Sequence, residues 1–340
     1  DGGGTDENNR ALRDTLEGEG IAVSASLEDE ALESALVTIG YSEASHGGCV
    51  VEARAYARLL ATSGLGRAPL AAPALALTRS DDSGLAYARL HPDPSGVVSE
   101  ETAVESSPDG AVWTPVGTFD DDFASTSPSP YFRARGPGEG ALPSRGYGAT
   151  GEDWLVVDGF DRFSGSYPHP THDFAARVGA ALGTGFSSAS NEAVARGLLN
   201  LGDFPVVVWL LGDESTDDVT CGDDERRAIG AYLEGGGRLI VSGSEVGYAT
   251  DDAWLADVLH VAYVADDAAS NVAGGFTFGT EYPEDYPDVL SGETTIWRYD
   301  TGGAAAVGYD HRVVVVGFGV ENLAAADLVA ALAELTAWLR

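Results

Sequence analysis

The chain has 340 residues, 44% of them apolar, enough to bury cores in two or three domains of ordinary size. Its 54 acidic and 19 basic residues give a net charge of −35. That argues against nucleic acid as the main partner and against docking on an anionic membrane, because both need a concentrated positive face.

No run of 18 uninterrupted apolar residues occurs, so no segment reads as a membrane-spanning helix. Every basic residue is arginine. Lysine and methionine are both missing, even at position 1, and the chain reads as a processed product or an excised segment. Cys49 and Cys221 are far apart in sequence, which leaves two separate thiols and one long-range bridge equally open. The acidity costs stability through self-repulsion, which high salt or bound divalent cations relieve. Extracellular or saline conditions fit this balance, and so does a nucleotide bias toward Arg, Ala and Gly.

Residues 1–63 alternate helix-like stretches (9–17, 27–36, 52–61) with strand-like ones (21–26, 36–41), predicting a small, truncated α/β segment. Residues 64–150 lose helical periodicity. Short apolar runs near Leu77, Leu85, Val112 and Tyr131 are divided by turn signals at 80–84, 91–96 and 107–110. Tyr87, Arg89 and His91 alternate as in a strand, as do Tyr131, Arg133 and Arg135, predicting a β-sandwich. The Gly- and Pro-rich stretch 137–151 reads as a linker or edge connection.

Residues 151–340 predict a third domain. Strong strands are expected at 154–160, 206–212, 238–244 and 312–318, with shorter or weaker ones near Phe186, Val261, Phe276, Ile296 and Ala304. Helices are expected at 173–182, 191–199, 223–233, 251–259 and 323–339. The major strands are apolar throughout, as they must be when helices cover both faces of a parallel sheet. The repeat predicts a doubly wound parallel α/β domain.

Ligands of such sheets bind beyond the carboxyl ends of the strands. Three ends supply polar groups: Asp158, Asp161 and Arg162; Asp213, Glu214, Ser215 and Thr216; Ser242, Ser244 and Glu245. If the strands are neighbours, these residues ring one crevice. Ser244 sits at a strand-to-helix turn where a nucleophile would be exposed, with Glu245 next to it. Its base would be His169, His172, His260 or His311, none at diagnostic spacing. GSE also reads as a glycine-assisted turn with a capping serine. Asp158, Glu214 and Glu245 are hard oxygen ligands suited to a divalent cation such as calcium, as are the runs 120–122 and 217–218. His169 and His172 have a zinc-compatible spacing, yet Pro170 between them favours a loop rim. Gly235–Gly237 follow a helix and stop it; no phosphate-binding loop is present.

The stretches LVVDGFDRF (155–163), FSSASNEAVARGLLNLGDFPVVVWLLGDES (186–215), AYLEGGGRLIVSGSEVG (231–247) and VVVVGFGVENL (313–323) resemble the class I glutamine amidotransferase-like domain of large secreted bacterial proteins of the golvesin and xanthan-lyase type. That resemblance implies a flavodoxin-like fold over residues 151–340. The family's nucleophile cysteine has no counterpart at Ser242–Glu245, and its histidine has none beside Glu321. SPDGAVWTPVGTF (107–119) and YFRARGPGEGALPS (131–144) resemble a fibronectin type III module. The first 60 residues are weakly similar to a zinc-dependent cell-wall amidase, which would make Glu7, and with it His46, metal ligands. The expectation is therefore a multidomain extracellular protein: a small α/β segment, a fibronectin type III-like β-sandwich and a flavodoxin-like α/β domain. Its expected role is non-catalytic binding or scaffolding on polysaccharide or peptidoglycan. The alternative is a hydrolase, zinc-dependent or serine-based, of an amide, peptide or glycan bond.

Overall fold

The computed structural model describes residues 74–91, 102–119, 122–136, 143–162, 172–214 and 219–340. The expected N-terminal segment 1–63 lies outside the described residues. The apolar run VVVWLLG forms a strand buried at every position. The chain order of strands is β1 (Ala74–Arg79), β2 (Ala86–His91), β3 (Ala103–Ser107), β4 (Thr114–Thr118), β5 (Asp122–Ser125), β6 (Tyr131–Arg135), β7 (Tyr147–Gly148), β8 (Trp154–Asp158) and β9 (Phe186–Ser190). There follow β10 (Val206–Gly212), β11 (Arg238–Gly243), β12 (Val261–Ala265), β13 (Val272–Ala273), β14 (Phe276–Thr277), β15 (Val289–Gly292), β16 (Thr294–Arg298), β17 (Ala304–Tyr309) and β18 (Val313–Val316). Helices are α1 (Phe174–Ala181), α2 (Asn191–Ala195), α3 (Asp223–Glu234), α4 (Asp252–Trp254) and α5 (Ala325–Trp338).

Twelve of these strands make one mixed sheet, in the order β12-β15-β17-β18-β11-β10-β8-β9-β1-β2-β5, with β16 paired to β17. Its middle, β9-β8-β10-β11-β18, is parallel. On one side β17, β15 and β12 add on antiparallel. On the other side β1, β2 and β5 do the same.

This overturns the expected architecture. The chain does not form a flavodoxin-like doubly wound sheet preceded by a separate fibronectin-like sandwich; it is dominated by a single mixed sheet with few helices. Strand β1, from the 64–150 stretch, pairs with β9 through Ala76↔Ala189 and Leu77↔Ser188. Such pairing runs through backbone groups that every residue carries, so no local pattern announces it.

A second, four-stranded antiparallel sheet, β4-β3-β6-β7, shares a core with β1 and β2: Val104, Phe132, Ala134 and Tyr147 join Leu75, Leu77, Ala86 and Ala88. Within it Glu105 holds Arg133 at 2.6 Å and Arg135 at 2.8 Å. The stretch 137–151, expected as a linker or edge connection, supplies β7 at the edge of this sheet, and β7 is tied to β9 where Gly148 N donates to Ser188 Oγ at 2.8 Å.

Strand residues alternate between the faces of the large sheet. Val156, Val208, Ile240 and Val314 pack with Phe174 and Val178 of α1 and with Leu328, Leu332 and Leu335 of α5. Leu155, Val207, Leu239 and Val313 pack with Ile229, Tyr232 and Leu233 of α3 on the other face. Each such side chain contributes roughly 1.5–3 kcal/mol by burial.

Helix α2 is shorter than its periodicity suggests, because Gly197 at φ +72° breaks it. The expected helix at 251–259 starts on a cap, Asp251 accepting from Trp254 N. It then loosens into a π turn, Leu255–Leu259, ended by left-handed His260.

Candidate functional site at the strand carboxyl ends

Strands β8, β10 and β11 are adjacent and parallel, so their carboxyl ends open on one side. The site grows from the turn after each strand. After β8, Asp158 Oδ1 accepts from Phe160 N at 3.3 Å, and Arg145 lies 3.9 Å from Asp158 and 2.7 Å from Asp161. After β10 the chain turns at Gly212 with φ +55°, where a Cβ would lie 2.2 Å from the Phe160 ring. This turn places Arg162 on Asp213, 3.3 Å from its carboxylate and 3.0 Å from its carbonyl oxygen. The Glu214 carboxylate accepts from Asp161 N and Arg162 N. After β11, Ser244 Oγ lies 3.3 Å from Gly212 O and 3.3 Å from Asp213 Oδ1, and Ser242 Oγ accepts from Val320 N at 3.4 Å.

A fourth strand end, β18, completes the network. Tyr282 OH donates to Glu321 at 2.7 Å. Asn322 donates to Glu284 at 2.6 Å and accepts from the Glu281 and Tyr282 amides. The loop before β15 is thereby strapped across the end of β18. Burial pushes Glu321 and Glu245 each up to about 7 and Glu284 well above the usual carboxylate range.

His172 packs against Phe174, ring centroids 4.4 Å apart, and beside Phe160. Its Nε2 faces the Phe160 carbonyl at 3.1 Å and must donate to it. Its Nδ1 lies 3.4 Å from Asp158 Oδ2. Burial, with Arg145 nearby, pushes the imidazole down to about 3. Burial also pushes Asp158 up to about 7 against the pull of Arg145. A neutral ring that donates through Nε2 presents its Nδ1 lone pair toward Asp158 Oδ2, an arrangement that suits a protonated Asp158.

The structure thus gathers Asp158, Asp161, Arg162, Asp213, Glu214, Ser242, Ser244 and Glu245 at neighbouring strand ends. Asp158, Asp213, Ser242 and Ser244 are 0% exposed, so the crevice is filled by the protein's own side chains. Ser215, Glu7, His46 and His169 lie outside the described residues. Of the expected cation ligands, Asp158 faces Arg145 and His172, and Glu214 accepts from the Asp161 and Arg162 amides. Cys221 is a free, buried thiol.

Sequence reasoning missed Arg145, Tyr282, Glu284 and Asn322. Arg145 sits in the supposed linker, and Tyr282 and Glu284 lie in the patternless loop TEYPEDYPD. Only Glu321 and Asn322 carried a signal, as polar residues directly beyond an apolar strand.

No family model and no curated protein matches the chain. Among solved structures, an exo-β-1,4-mannosidase, Op5Man5 from Opitutaceae bacterium strain TAV5, aligns at a TM-score of 0.34 and 11% identity, over 54% of this chain and 34% of that one. The chain thus spans about a third of that enzyme.

Proposed function

We propose that the chain is a non-catalytic binding or scaffolding protein of an extracellular surface, with polysaccharide or peptidoglycan as its ligand. The observation that carries this reading is Ser244. Its hydroxyl is fully buried and engaged by Gly212 O and Asp213, with no described histidine bonded to it. His172 belongs to the Asp158 pair, while His260 and His311 pack on Tyr309 and Trp338. A serine shut away from solvent, with no imidazole among the described residues to take its proton, is a poor nucleophile. The absence of cysteine from Ser242–Glu245 and of histidine beside Glu321 agrees with this. The sheet that runs unbroken through both halves of the described chain supports a scaffolding role.

The test incubates the purified chain with insoluble polysaccharides and peptidoglycan, and in parallel with chromogenic amide, ester and glycoside substrates. Co-sedimentation without turnover is expected. Turnover that disappears in Ser244→Ala would replace this reading with a serine hydrolase.

A further inference from the structure

At the amino ends of β10 and β11, opposite the carboxyl-end network, lies a cleft of about 810 Å³ open to solvent. It adjoins a hollow of about 180 Å³ over β1 and β2. The two share Arg89, Leu198, Leu199, Asp203 and Phe204 as walls, so they form one groove. The groove exists only because β1 pairs with β9, which sets the β1–β2 ribbon beside the 197–205 loop and the end of α3.

We infer that this groove is the polysaccharide-binding site, and that its ligand is a neutral glycan. The inference rests on the binding role proposed above and names its site and ligand class.

Three features point to that chemistry. First, the volume lies within the roughly 300–1,000 Å³ of ligand sites, and the groove is open along the surface, which suits a polymer. Second, the walls alternate apolar and polar groups, as the C–H faces and hydroxyl edges of sugar rings require. Leu198, Leu199, Phe204 and Pro205 give the apolar part, and Asn200, Asp203 and Arg89 the polar part. Arg89 lies over the Tyr87 ring at 5.2 Å, making a flat amphipathic platform on the groove wall. Its orientation is held by Leu198 O at 2.9 Å and Asp122 at 3.5 Å. On the far wall Gly236 carries no side chain and has nothing within 4 Å of where a Cβ would stand. Third, the charged side chains that line the groove, Arg89 and Asp203, balance. A chain of net charge −35 repels acidic polymers, and a groove with balanced charge offers a basic polymer no cluster of carboxylates, which leaves a neutral glycan.

The experiment uses the whole chain and measures retardation in native gels containing a soluble neutral β-glucan or xylan, with alginate as the acidic comparison. Ala231 is exposed on α3 and lines the groove, so Ala231→Trp plugs it without touching the core. Arg89→Ala removes the platform. Ala330→Trp, on the exposed side of α5, is the control. Thermal midpoints report folding of each variant. We expect a neutral glycan to retard the wild type and Ala330→Trp, with affinity at least tenfold weaker in Ala231→Trp and Arg89→Ala at unchanged midpoints. Wild-type affinity in both groove variants overturns the groove while leaving polysaccharide binding intact. Preference for alginate overturns the neutral ligand class. A wild-type chain that neither is retarded nor sediments with any glycan or peptidoglycan overturns the binding role itself, and this inference with it.

Discussion

Replacing Asp158 by asparagine tests whether the proton between Asp158 and His172 resides on the carboxyl group. An amide preserves shape. Its Nδ2 faces the His172 Nδ1 lone pair where Oδ2 stood, and its oxygen still faces Phe160 N and Arg145. The sign follows from linkage. The Asp158 pKa is raised from its ordinary value near 4 to about 7 in the folded chain. Its contribution to stability is therefore complete below about pH 4 and is lost as pH rises through about 7. His172 has the opposite sign: depressed to about 3, it contributes stability present above about 6.5 and lost as pH falls through about 3. Between pH 4 and 6.5 the two contributions cancel in the wild type, because the pair holds one proton in both folded and unfolded chains.

The variant removes the Asp158 share and leaves the His172 share uncovered. Its stability relative to wild type should rise with pH by about 1.4 kcal/mol per unit, or roughly 2–3 kcal/mol between pH 5 and 7. Urea unfolding of both proteins at half-unit pH steps and constant high salt measures this difference. A difference that stays flat, or a variant that loses ground as pH rises, would mean that Asp158 is an ionised partner of Arg145 and would refute the assignment.

Two further outcomes follow from charge and packing. Raising sodium chloride from 0.1 M to 2 M shortens the screening length from about 10 Å to 3 Å or less and should raise the thermal midpoint by roughly 5–15 °C, given the net charge of −35; a midpoint that falls, or does not move, in a calorimetric salt series contradicts the idea that self-repulsion limits stability. Gly212→Ala adds a Cβ 2.2 Å from the Phe160 ring at φ +55° and should cost about 3 kcal/mol in chemical denaturation; a cost under about 0.5 kcal/mol would show that the turn relaxes freely.

What the amino-acid order determined by itself is local. Unbroken apolar runs at 206–212 and 313–316 bury well and so become buried strands. Gly235–Gly237 end α3, and the leucine spacing in 325–338 makes a helix with one apolar stripe. The positions of Asp158, Asp213 and Ser244 at strand ends follow from those strands. Tertiary structure alone decided the rest. The antiparallel strands β12, β15 and β17, and the joining of β1 to β9, are chosen by backbone hydrogen bonds that look alike for every residue. The same holds for the pairing of Arg145 with Asp161 and of His172 with Asp158, partners 16 and 14 positions apart that meet only because chain folding carries the 143–148 stretch and the start of α1 to one strand end. Whether such a group is charged, and whether a serine at a turn is free to react, depends on which neighbours exclude water from it, and those neighbours are set by the sheet as a whole.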